Sequence, residues 1–394
     1  MAKLPEWRRI INDKKHDQLF NEGRLSLFRN SKGNLLIFIR ELKQQDAGRY
    51  RIGVSGMRPE YMNLIVLENL CCGMSKKVIV NHGDNVMISC NYSENHKNYP
   101  KIMLKKQKAS IEMIYNTETW GNKKELSFSD NREENIFSVR ITAVTPDDGG
   151  VYLCGVWINT YSYSYYIINT VHLHIITKVG VSRVSGSSGG HLMIKCEHPQ
   201  YKTKPKYICK ESDGCSERKN PGVQGEWMEN GDVSLYDDTR AGVLMVFFRE
   251  LKAADAGTYR CGVNVSDYTE SFTELQLSVR HDAKYPKSVT ESVYLGGEVN
   301  ITCQIPEEHE VHFCKEDDNH ICQTIIPSKV REMSGSSERN EERVVTVSIS
   351  NVSVGDAGVY WCGAETRDTY LTFISLNTKI QLNLISESIQ MISL

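Results

Sequence analysis

The segment Asp148-Gly149-Gly150-Val151-Tyr152-Leu153-Cys154 sets a pattern that recurs along the chain. The same Asp, Gly, Tyr and Cys positions return in Asp255–Cys261 and in Asp356–Cys362. A fourth copy begins at Asp46 and has Ile52 in place of the cysteine. Successive copies lie about 100 residues apart, so the chain is predicted to contain four related units.

Each copy follows an apolar run that is typical of a β-strand and that ends four residues before the Asp. The four runs are Leu35–Leu42, Ile136–Val144, Val243–Leu251 and Val344–Val352. A repeat of this length matches one immunoglobulin sandwich of about 100 residues. The sequence therefore predicts an all-β chain of tandem variable-type immunoglobulin β-sandwiches.

The repeat also predicts the domain boundaries. Residues 1–69 would form a partial variable-type domain, residues 70–177, 178–280 and 281–386 three further variable-type domains, and residues 387–394 a tail. The first unit is expected to lack its first strands, because residues 1–51 contain no cysteine and only the later strands are recognisable. Such a sheet would leave open edges.

One cysteine lies roughly 60 residues upstream of each motif cysteine, a spacing that suits a bridge between the two sheets of a sandwich. The predicted pairs are Cys90 with Cys154, Cys196 with Cys261, and Cys303 with Cys362. The motif tyrosine is expected to bond its hydroxyl back to the chain upstream, as in a tyrosine corner. The four corner residues are Tyr50, Tyr152, Tyr259 and Tyr360.

Composition narrows the class of protein. Lys and Arg total 47 against 49 Asp and Glu, so a net charge of -2 gives no reason to expect a nucleic acid as the partner. Twelve cysteines in repeated positions are typical of folding in an oxidising compartment. Residues 1–11 carry charges where a signal peptide is apolar, and nothing near Leu394 resembles a membrane span. The chain is therefore expected to be incomplete at both ends.

The strand after the first cysteine of each domain carries a more specific pattern. Its core position, normally Trp in an immunoglobulin domain, reads Met103, Ile208 and Phe313. The residues Lys206-Tyr207-Ile208-Cys209-Lys210, and later Phe313-Cys314-Lys315, resemble the Lys-Tyr-Trp-Cys-Lys signature of the polymeric immunoglobulin receptor family and the CMRF35-like leukocyte mono-immunoglobulin-like receptors. The resemblance covers nearly the whole chain, and the multi-domain arrangement resembles receptor-like proteins of fish.

That family has a second, short-range disulfide in each domain, which implies the pairs Cys209 with Cys215 and Cys314 with Cys322. The second domain departs from this pattern, because it has no cysteine between Cys90 and Cys154. Two cysteines then remain, and they could pair with each other, with an absent segment or with another chain. They are Cys71 and Cys72.

A zinc site is the rival interpretation of the last inner pair, because His312, Cys314, His320 and Cys322 form two His-any-Cys arms. The third domain keeps the cysteine pair without the histidines, which favours the disulfide. No nucleophile with a supporting base repeats, and no phosphate-binding glycine loop precedes a helix. The sequence therefore predicts no enzyme activity, no cofactor and no metal.

Four Asn-any-Ser/Thr sequons are candidate glycosylation sites on a secretory path. They begin at Asn91, Asn264, Asn300 and Asn351. Asn264 is the favoured site, because it is expected to follow a strand in a loop.

Variable-type domains carry their recognition surface in the loops at one end of the sandwich. The candidate loops are Ser93–Pro100, Trp157–Tyr166, His198–Pro205 and Val265–Thr269. The run from Tyr161 to Tyr166 is rich in Tyr and Ser, as antibody paratopes are. An equally good interpretation is the start of the last strand. The candidate ligand contacts are Trp157, Tyr161, Tyr163 and Tyr165.

The predicted function is ligand recognition by the extracellular part of an immune-type receptor at the plasma membrane. A membrane segment absent from this chain would couple binding to signalling or to immunoglobulin transport. A polymeric immunoglobulin, another surface protein or a lipid head group would fit as the ligand. The alternative is a secreted or adhesive protein in which the domains act as a decoy or a spacer.

The two kinds of predicted disulfide differ in the loop that each closes in the unfolded chain. The double variant Cys196→Ala with Cys261→Ala removes the inter-sheet disulfide, and it should lower the unfolding free energy by roughly 4 kcal/mol and leave a cavity in the core. The double variant Cys209→Ser with Cys215→Ser removes the short-range disulfide and should lower it by roughly 2.4 kcal/mol. Thermal melts of the third domain, residues 178–280, would rank the two double variants. An equal or larger drop in melting temperature for the short-loop variant would show that this ranking is wrong.

Overall fold

The structure, a computed structural model, describes residues 2–3, 8–9, 19–29, 35–53, 58–66, 74–106, 111–116, 126–159, 164–222, 225–306, 309–324, 330–336 and 342–385. Every regular element of four residues or more in this part of the chain is a β-strand, which confirms the predicted all-β fold. The chain divides into two compact units, residues 1–176 with 267–269 and residues 177–266 with 270–394.

The partial first domain contains two small antiparallel sheets. Its strands are β1 Ala2–Lys3, β2 Arg8–Arg9, β3 Leu19–Glu22, β4 Leu25–Arg29, β5 Leu35–Ile39, β6 Gly48–Ile52 and β7 Glu60–Leu64. One sheet has the order β2-β1-β6-β7 and the other β3-β4-β5. The motif copy at Asp46 therefore leads into β6 as the sequence predicts.

The second domain is a two-layer sandwich. Its strands are β8 Met74–Asn81, β9 Val86–Asn91, β10 Lys101–Lys106, β11 Ile111–Asn116, β12 Leu126–Asn131, β13 Ile136–Ile141, β14 Gly150–Asn159 and β15 Ser164–Ser187. The front sheet has the order β11-β10-β14-β15, with β8 parallel to residues 169–176 of β15. The back sheet has the order β12-β13-β9.

The third domain repeats this plan, and β15 supplies its first strand. The others are β16 His191–Glu197, β17 Lys206–Lys210, β18 Met228–Asn230, β19 Val233–Asp238, β20 Val243–Phe248, β21 Gly257–Ser266 and β22 Thr269–Arg280. The front sheet has the order β15-β22-β21-β17 and the back sheet β18-β19-β20-β16. Asn264 lies inside β21 and is half-buried, so its predicted placement in a loop is wrong.

The fourth domain has the same two layers. Its strands are β23 Lys287–Tyr294, β24 Val299–Pro306, β25 Glu310–Glu316, β26 Cys322–Thr324, β27 Val330–Ser336, β28 Glu342–Ile349, β29 Gly358–Arg367 and β30 Leu371–Ile385. The front sheet has the order β30-β29-β25-β26, with β23 parallel to β30, and the back sheet β24-β28-β27. The beginning of β30 also pairs with β16 of the third domain.

Short 3-10 turns connect many of these strands. They are Gln44–Asp46, Glu94–His96, Pro146–Asp148, Pro199–Tyr201, Glu211–Asp213, Ala253–Asp255 and Val354–Asp356. Four of them end on a motif Asp, because its carboxylate accepts the backbone N–H three residues earlier, as from Thr145 to Asp148 at 2.7 Å. That bond turns the chain sharply into the strand of the motif cysteine.

A buried disulfide crosses each complete sandwich. The Cα atoms lie 6.3 Å apart for Cys90 with Cys154, 6.4 Å for Cys196 with Cys261, and 6.1 Å for Cys303 with Cys362. The apolar residues at the usual Trp position pack in the same cores, with exposed fractions of 0% for Met103, 3% for Ile208 and 8% for Phe313. Each core therefore keeps the immunoglobulin plan with a smaller side chain at that position.

The motif tyrosine closes the turn in all four copies. Its hydroxyl donates to the carbonyl of the motif Asp, at 2.5 Å from Tyr50, 2.6 Å from Tyr152, 2.6 Å from Tyr259 and 2.5 Å from Tyr360. The motif glycine adopts a positive φ in every copy, from 138° at Gly358 to 148° at Gly150, which favours glycine. The motif residues are thus explained by the geometry of one turn.

A lysine on the neighbouring front strand supports each complete corner. The Nζ atoms of Lys105, Lys210 and Lys315 lie 5.5 Å from the ring centroid of the corner tyrosine in their own domain. The same Nζ atoms donate to backbone carbonyls of the turn, at 2.5 Å to Asp147, 2.8 Å to Ala254 and 2.5 Å to Gly355. Cation–π attraction and a charged hydrogen bond therefore act on the same turn.

Candidate ligand-binding loops

A buried lysine organises the first candidate loop, Ser93–Pro100 of the second domain. Lys101 is 1% exposed, and its Nζ donates to the carbonyls of His96 at 3.0 Å, Lys97 at 3.1 Å and Tyr99 at 2.7 Å. The same Nζ lies 4.1 Å from the ring centroid of Tyr92. Burial, which favours the neutral form, lowers the pKa of Lys101 from its usual value. The loop is therefore held from within by one charged group.

Aromatic rings meet at the tip of this loop. The ring centroid of His96 lies 6.0 Å from Tyr99 and 5.3 Å from Tyr166, which belongs to β15. The Nδ1 atom of His96 is hydrogen-bonded to the Ser93 hydroxyl at 2.9 Å. Burial and then the charge of Lys101 lower the pKa of His96, so the neutral imidazole is favoured at neutral pH.

The neighbouring turn between β12 and β13 is tied to the same loop. Asn135 donates its side-chain amide to Glu94 at 2.8 Å, and Tyr92 donates its hydroxyl to Asp130 at 2.7 Å. Burial and then the hydrogen bond to Asp130 raise the pKa of Tyr92. Two loops at one end of the domain thus share one polar network.

The structure corrects the predicted placement of Trp157. This residue lies within β14 and is 9% exposed, so its placement in a loop is wrong, while its role as a ligand contact stays a prediction. It packs with Tyr165 at a centroid distance of 5.7 Å in an apolar cluster on the front sheet. Leu19 and Phe38 of the partial first domain pack against this cluster.

The tyrosine-rich run is only partly described. Residues 164–166 belong to β15, which agrees with the interpretation as the start of the last strand. Tyr161 and Tyr163 lie outside the described residues, as do Cys71 and Cys72. Tyr166 is the member of the run that meets the loop Ser93–Pro100.

The third domain repeats the lysine in its loop His198–Pro205. Lys206 is 1% exposed and donates to the carbonyl of Lys202 at 2.7 Å and to the carboxylate of Asp237 at 2.7 Å. Sequence reasoning placed Lys206 in the family signature but missed its role. The available indication was a lysine two residues before the core residue in both domains, at Lys101 and at Lys206.

His198 lies at the start of this loop, between the back sheet and Lys206. It is 6% exposed, and its Nε2 has no hydrogen-bond partner among the described residues. Burial, and then the positive charge of Lys206, lowers the pKa of His198 to about 4. The folded third domain therefore favours the neutral imidazole at this position.

The signature tyrosine of the third domain belongs to a polar network on the front sheet. Tyr207 is fully buried and donates its hydroxyl to Glu270 at 2.9 Å. The Arg218 guanidinium lies 4.3 Å from the Tyr207 ring centroid and 3.0 Å from the Glu270 carboxylate. The position therefore has a structural role, and the half-exposed Arg218 lies over it.

The cysteines of the predicted inner pairs are neighbours. Their Cα atoms are 5.1 Å apart for Cys209 with Cys215 and 5.3 Å for Cys314 with Cys322, and each pair is bonded. The zinc alternative does not fit this arrangement, because both sulfurs are already used and His312 faces Glu365 at 3.4 Å. In the part of the chain that the structure describes, no group of three or more ligating side chains could hold a metal.

The sequons differ in exposure. Asn91, Asn300 and Asn351 are exposed, whereas Asn264 is half-buried and its side-chain oxygen accepts a hydrogen bond from Arg218 at 3.4 Å. The exposed three are the better candidates for glycosylation, which remains a prediction.

Comparison with known proteins agrees with this architecture. A model described as the immunoglobulin V-set domain matches residues 73–176 and 180–280, more than half of the chain. The chain belongs to the immunoglobulin V-set family. The tandem variable-type prediction is therefore confirmed.

Two relatives of this V-set chain come from the families that its sequence resembles. It is 26% identical over 402 residues to the polymeric immunoglobulin receptor of Equus asinus, with 94% of this chain and 51% of the relative covered. It is 28% identical over 118 residues to CMRF35-like molecule 2 of Mus musculus, with 27% and 56% covered. The predicted family resemblance is confirmed. The V-set chain spans about half the length of the Equus asinus receptor.

Among solved structures, the first immunoglobulin domain of the mouse polymeric immunoglobulin receptor aligns with a TM-score of 0.22 and 20% identity. The alignment covers 26% of this V-set chain and 90% of that chain.

Lys101→Met should loosen the loop Ser93–Pro100, because three carbonyls lose a charged donor while the aliphatic volume stays. We expect a loss of about 2 kcal/mol in the unfolding free energy of the second domain, measured by urea denaturation. Lys97→Met is the matched control, since Lys97 pairs with Glu94 at the surface and should cost less than about 0.5 kcal/mol. Equal losses in the two variants would contradict the assigned role of Lys101.

His198 predicts an acid-sensitive third domain. Because its folded pKa of about 4 lies below the usual 6.5, the stabilisation is complete above pH 6.5 and is lost as the pH falls towards 4. At pH 5 the loss should be about 2 kcal/mol, measured by urea unfolding at pH 7 and pH 5. His198→Gln should remove this part of the pH dependence, whereas His281→Gln, at an exposed position, should not. The idea fails if His198→Gln loses as much stability as the wild type.

Proposed function

We propose that this chain is the ligand-binding extracellular part of an immune-type receptor, and that the loop Ser93–Pro100 with Tyr166 is its recognition surface. The observation that carries the proposal is the internal support of this loop by Lys101. A loop that is already ordered loses little conformational entropy on binding. The rings of His96, Tyr99 and Tyr166 offer aromatic contact area of the kind that paratopes use.

A polymeric immunoglobulin is the proposed ligand. Relatives that match most of this chain are named polymeric immunoglobulin receptors, and the proposal takes its ligand from that name. The surface fits a protein better than a lipid head group, because it combines rings with hydrogen-bonding groups such as Ser93 and Asn135. Another surface protein is the second candidate within this class.

The proposed location is the outer face of the plasma membrane, with coupling to signalling or to immunoglobulin transport. The names of the two relatives that match most of the chain support a receptor. Within the described ranges, no helix has the length and apolar character of a membrane span. A secreted or adhesive protein is the alternative. A transcript with a signal peptide upstream and a span downstream would support the receptor, and a verified secreted product that stops after Leu394 would contradict it.

Alanine at Tyr99 and at Tyr166 should weaken binding of a polymeric immunoglobulin, because each removes aromatic area from the tip of the loop. We expect the double variant to raise the Kd at least about tenfold, measured by surface plasmon resonance with the full chain. The Kd for monomeric immunoglobulin is measured as well, to show whether the chain prefers the polymeric form.

Met87→Ala is the control for this experiment. Met87 is 58% exposed on the back sheet of the same domain, away from the loop, and its substitution should leave the Kd unchanged. Equal Kd values for the double variant and the wild type would remove this loop from the recognition surface. Absence of any binding by the wild type would reject the proposed ligand.

A further inference from the structure

In the back sheet of the third domain, strand β20 is apolar on both faces, unlike the equivalent strands of the neighbouring domains. In β20, Leu244, Val246 and Phe248 point into the sandwich core, so Met245 and Phe247 point outward. Phe247 is nevertheless only 1% exposed. At the two positions equivalent to Met245 and Phe247, the other two domains have polar residues: Ser138 and Arg140 in β13, and Thr346 and Ser348 in β28.

The fourth domain covers this outward face. A buried cluster contains Met193 and Phe247 of the third domain together with residues of the fourth. The contributions of the fourth domain are Cys314, Ile321, Cys322, Trp361, Ile374 and Leu376. The inner disulfide of the fourth domain is thus part of the contact, and the front sheet of that domain is covered where it lies against β16 and β20. We call this contact the seam.

The seam also continues one β-sheet into the next. Residues 191–196 of β16 pair antiparallel with residues 371–376 of β30, from His191 opposite Leu376 to Cys196 opposite Leu371. On its other side β16 pairs with β20. Both edges of β16 therefore have strand partners. In the fourth domain the corresponding strand β24 pairs only with β28 among the described residues.

Polar groups inside the seam are satisfied across it. Glu316 accepts hydrogen bonds from the Trp361 indole at 2.7 Å and from Nε2 of His191 at 3.2 Å. The other ring nitrogen of His191 accepts the backbone N–H of Glu250 at 3.1 Å. Although burial raises the pKa of Glu316, its hydrogen bonds from His191 and Trp361 outweigh burial and hold it at about 2. Opening the seam would leave this carboxylate without its His191 partner.

Contacts at the edge of the seam add shape constraints. A Cβ atom at Gly180 would overlap the Tyr370 ring, so this ring packs directly on the glycine backbone. Pro286 packs on Gly189 in the same way, at 3.2 Å from the position of a Cβ atom. One end of the link between the two domains, at Pro286, therefore contacts the third domain.

We propose that the third and fourth domains form one rigid body whose seam excludes ligands from the covered faces. The back sheet of the third domain and the covered front sheet of the fourth then serve as internal docking surfaces. This assignment is independent of the recognition loop in the second domain. It places no hinge between residues 280 and 287.

Hydrogen exchange of the full-length wild type tests the rigid body directly. In a closed seam, residues 192–196 of β16 have neighbours on both sides and all their amides should exchange slowly. Residues 299–303 of β24 are the internal control, because about half of their amides should exchange as those of an edge strand do. Fast exchange of alternate amides in β16, at the rates seen in β24, would show an open seam and overturn the proposal.

A matched pair of substitutions probes the apolar contact. Met193 is 6% exposed in the seam, whereas Met87, at the equivalent position of the second domain, is 58% exposed. Met193→Lys buries an ammonium group and should accelerate exchange of residues 191–196 and 371–376 by at least about tenfold. Met87→Lys should leave both segments unchanged. Equal exchange in the two variants would overturn the proposal.

A milder variant guards against loss of the third domain itself. If residues 243–248 in the core also lose protection in Met193→Lys, the variant Trp361→Phe is used in its place. The phenyl ring keeps apolar area in the seam but removes the hydrogen-bond donor to Glu316. Faster exchange of residues 371–376 with a protected core supports the seam. Unchanged exchange in Trp361→Phe, together with edge-like exchange of β16 in the wild type, rejects it.

Discussion

A single closed turn, where a tyrosine hydroxyl bonds the carbonyl of the motif Asp, fixes the geometry of every domain in this chain. The bond from Tyr152 to Asp148 aligns the strand that carries Cys154. In the same strand, Cys154 is bonded to Cys90 across the core. Lys105 adds a cation above the tyrosine ring and a hydrogen bond to the turn. Three interactions therefore act on one turn, and the core keeps the sandwich plan with Met103 at the usual Trp position.

Lysines also bind backbone carbonyls at the opposite end of the sandwich, where buried lysines order the candidate loops. An ammonium group inside a protein is costly unless its hydrogen bonds are satisfied, and Lys101 satisfies them with loop carbonyls. Lys206 uses a carboxylate, Asp237, as well as carbonyls. The charged group of each lysine therefore stabilises the conformation of its loop. In the second domain, the tip of this loop carries the aromatic rings around His96.

The three complete domains share a fold but differ in which faces they bury. In the second domain the front sheet is apolar around Trp157, and residues of the partial first domain pack on it. In the third domain Glu270 of the front sheet pairs with Arg218, while strand β20 of the back sheet presents Phe247 outward to the fourth domain. Differences between repeats at outward positions thus record which neighbour each domain has. Core positions are apolar in all the domains, so they do not indicate which neighbour a domain contacts.

The sequence by itself determined the repeat, the sandwich fold and the positions of the corner tyrosines, because these depend on local turn chemistry and on strand alternation. Tertiary structure alone decided which side chains are accessible. Trp157 and Asn264 both belong to strands that extend further than their motifs indicate, so neither lies in a loop. The apolar run of β20 predicted a strand from the sequence. Its second apolar face is explained only by the tertiary structure, in which β30 pairs with β16 and the fourth domain covers Phe247. The burial of a side chain depends on residues that are distant in the sequence, and the alternation within one strand does not predict which residues these are.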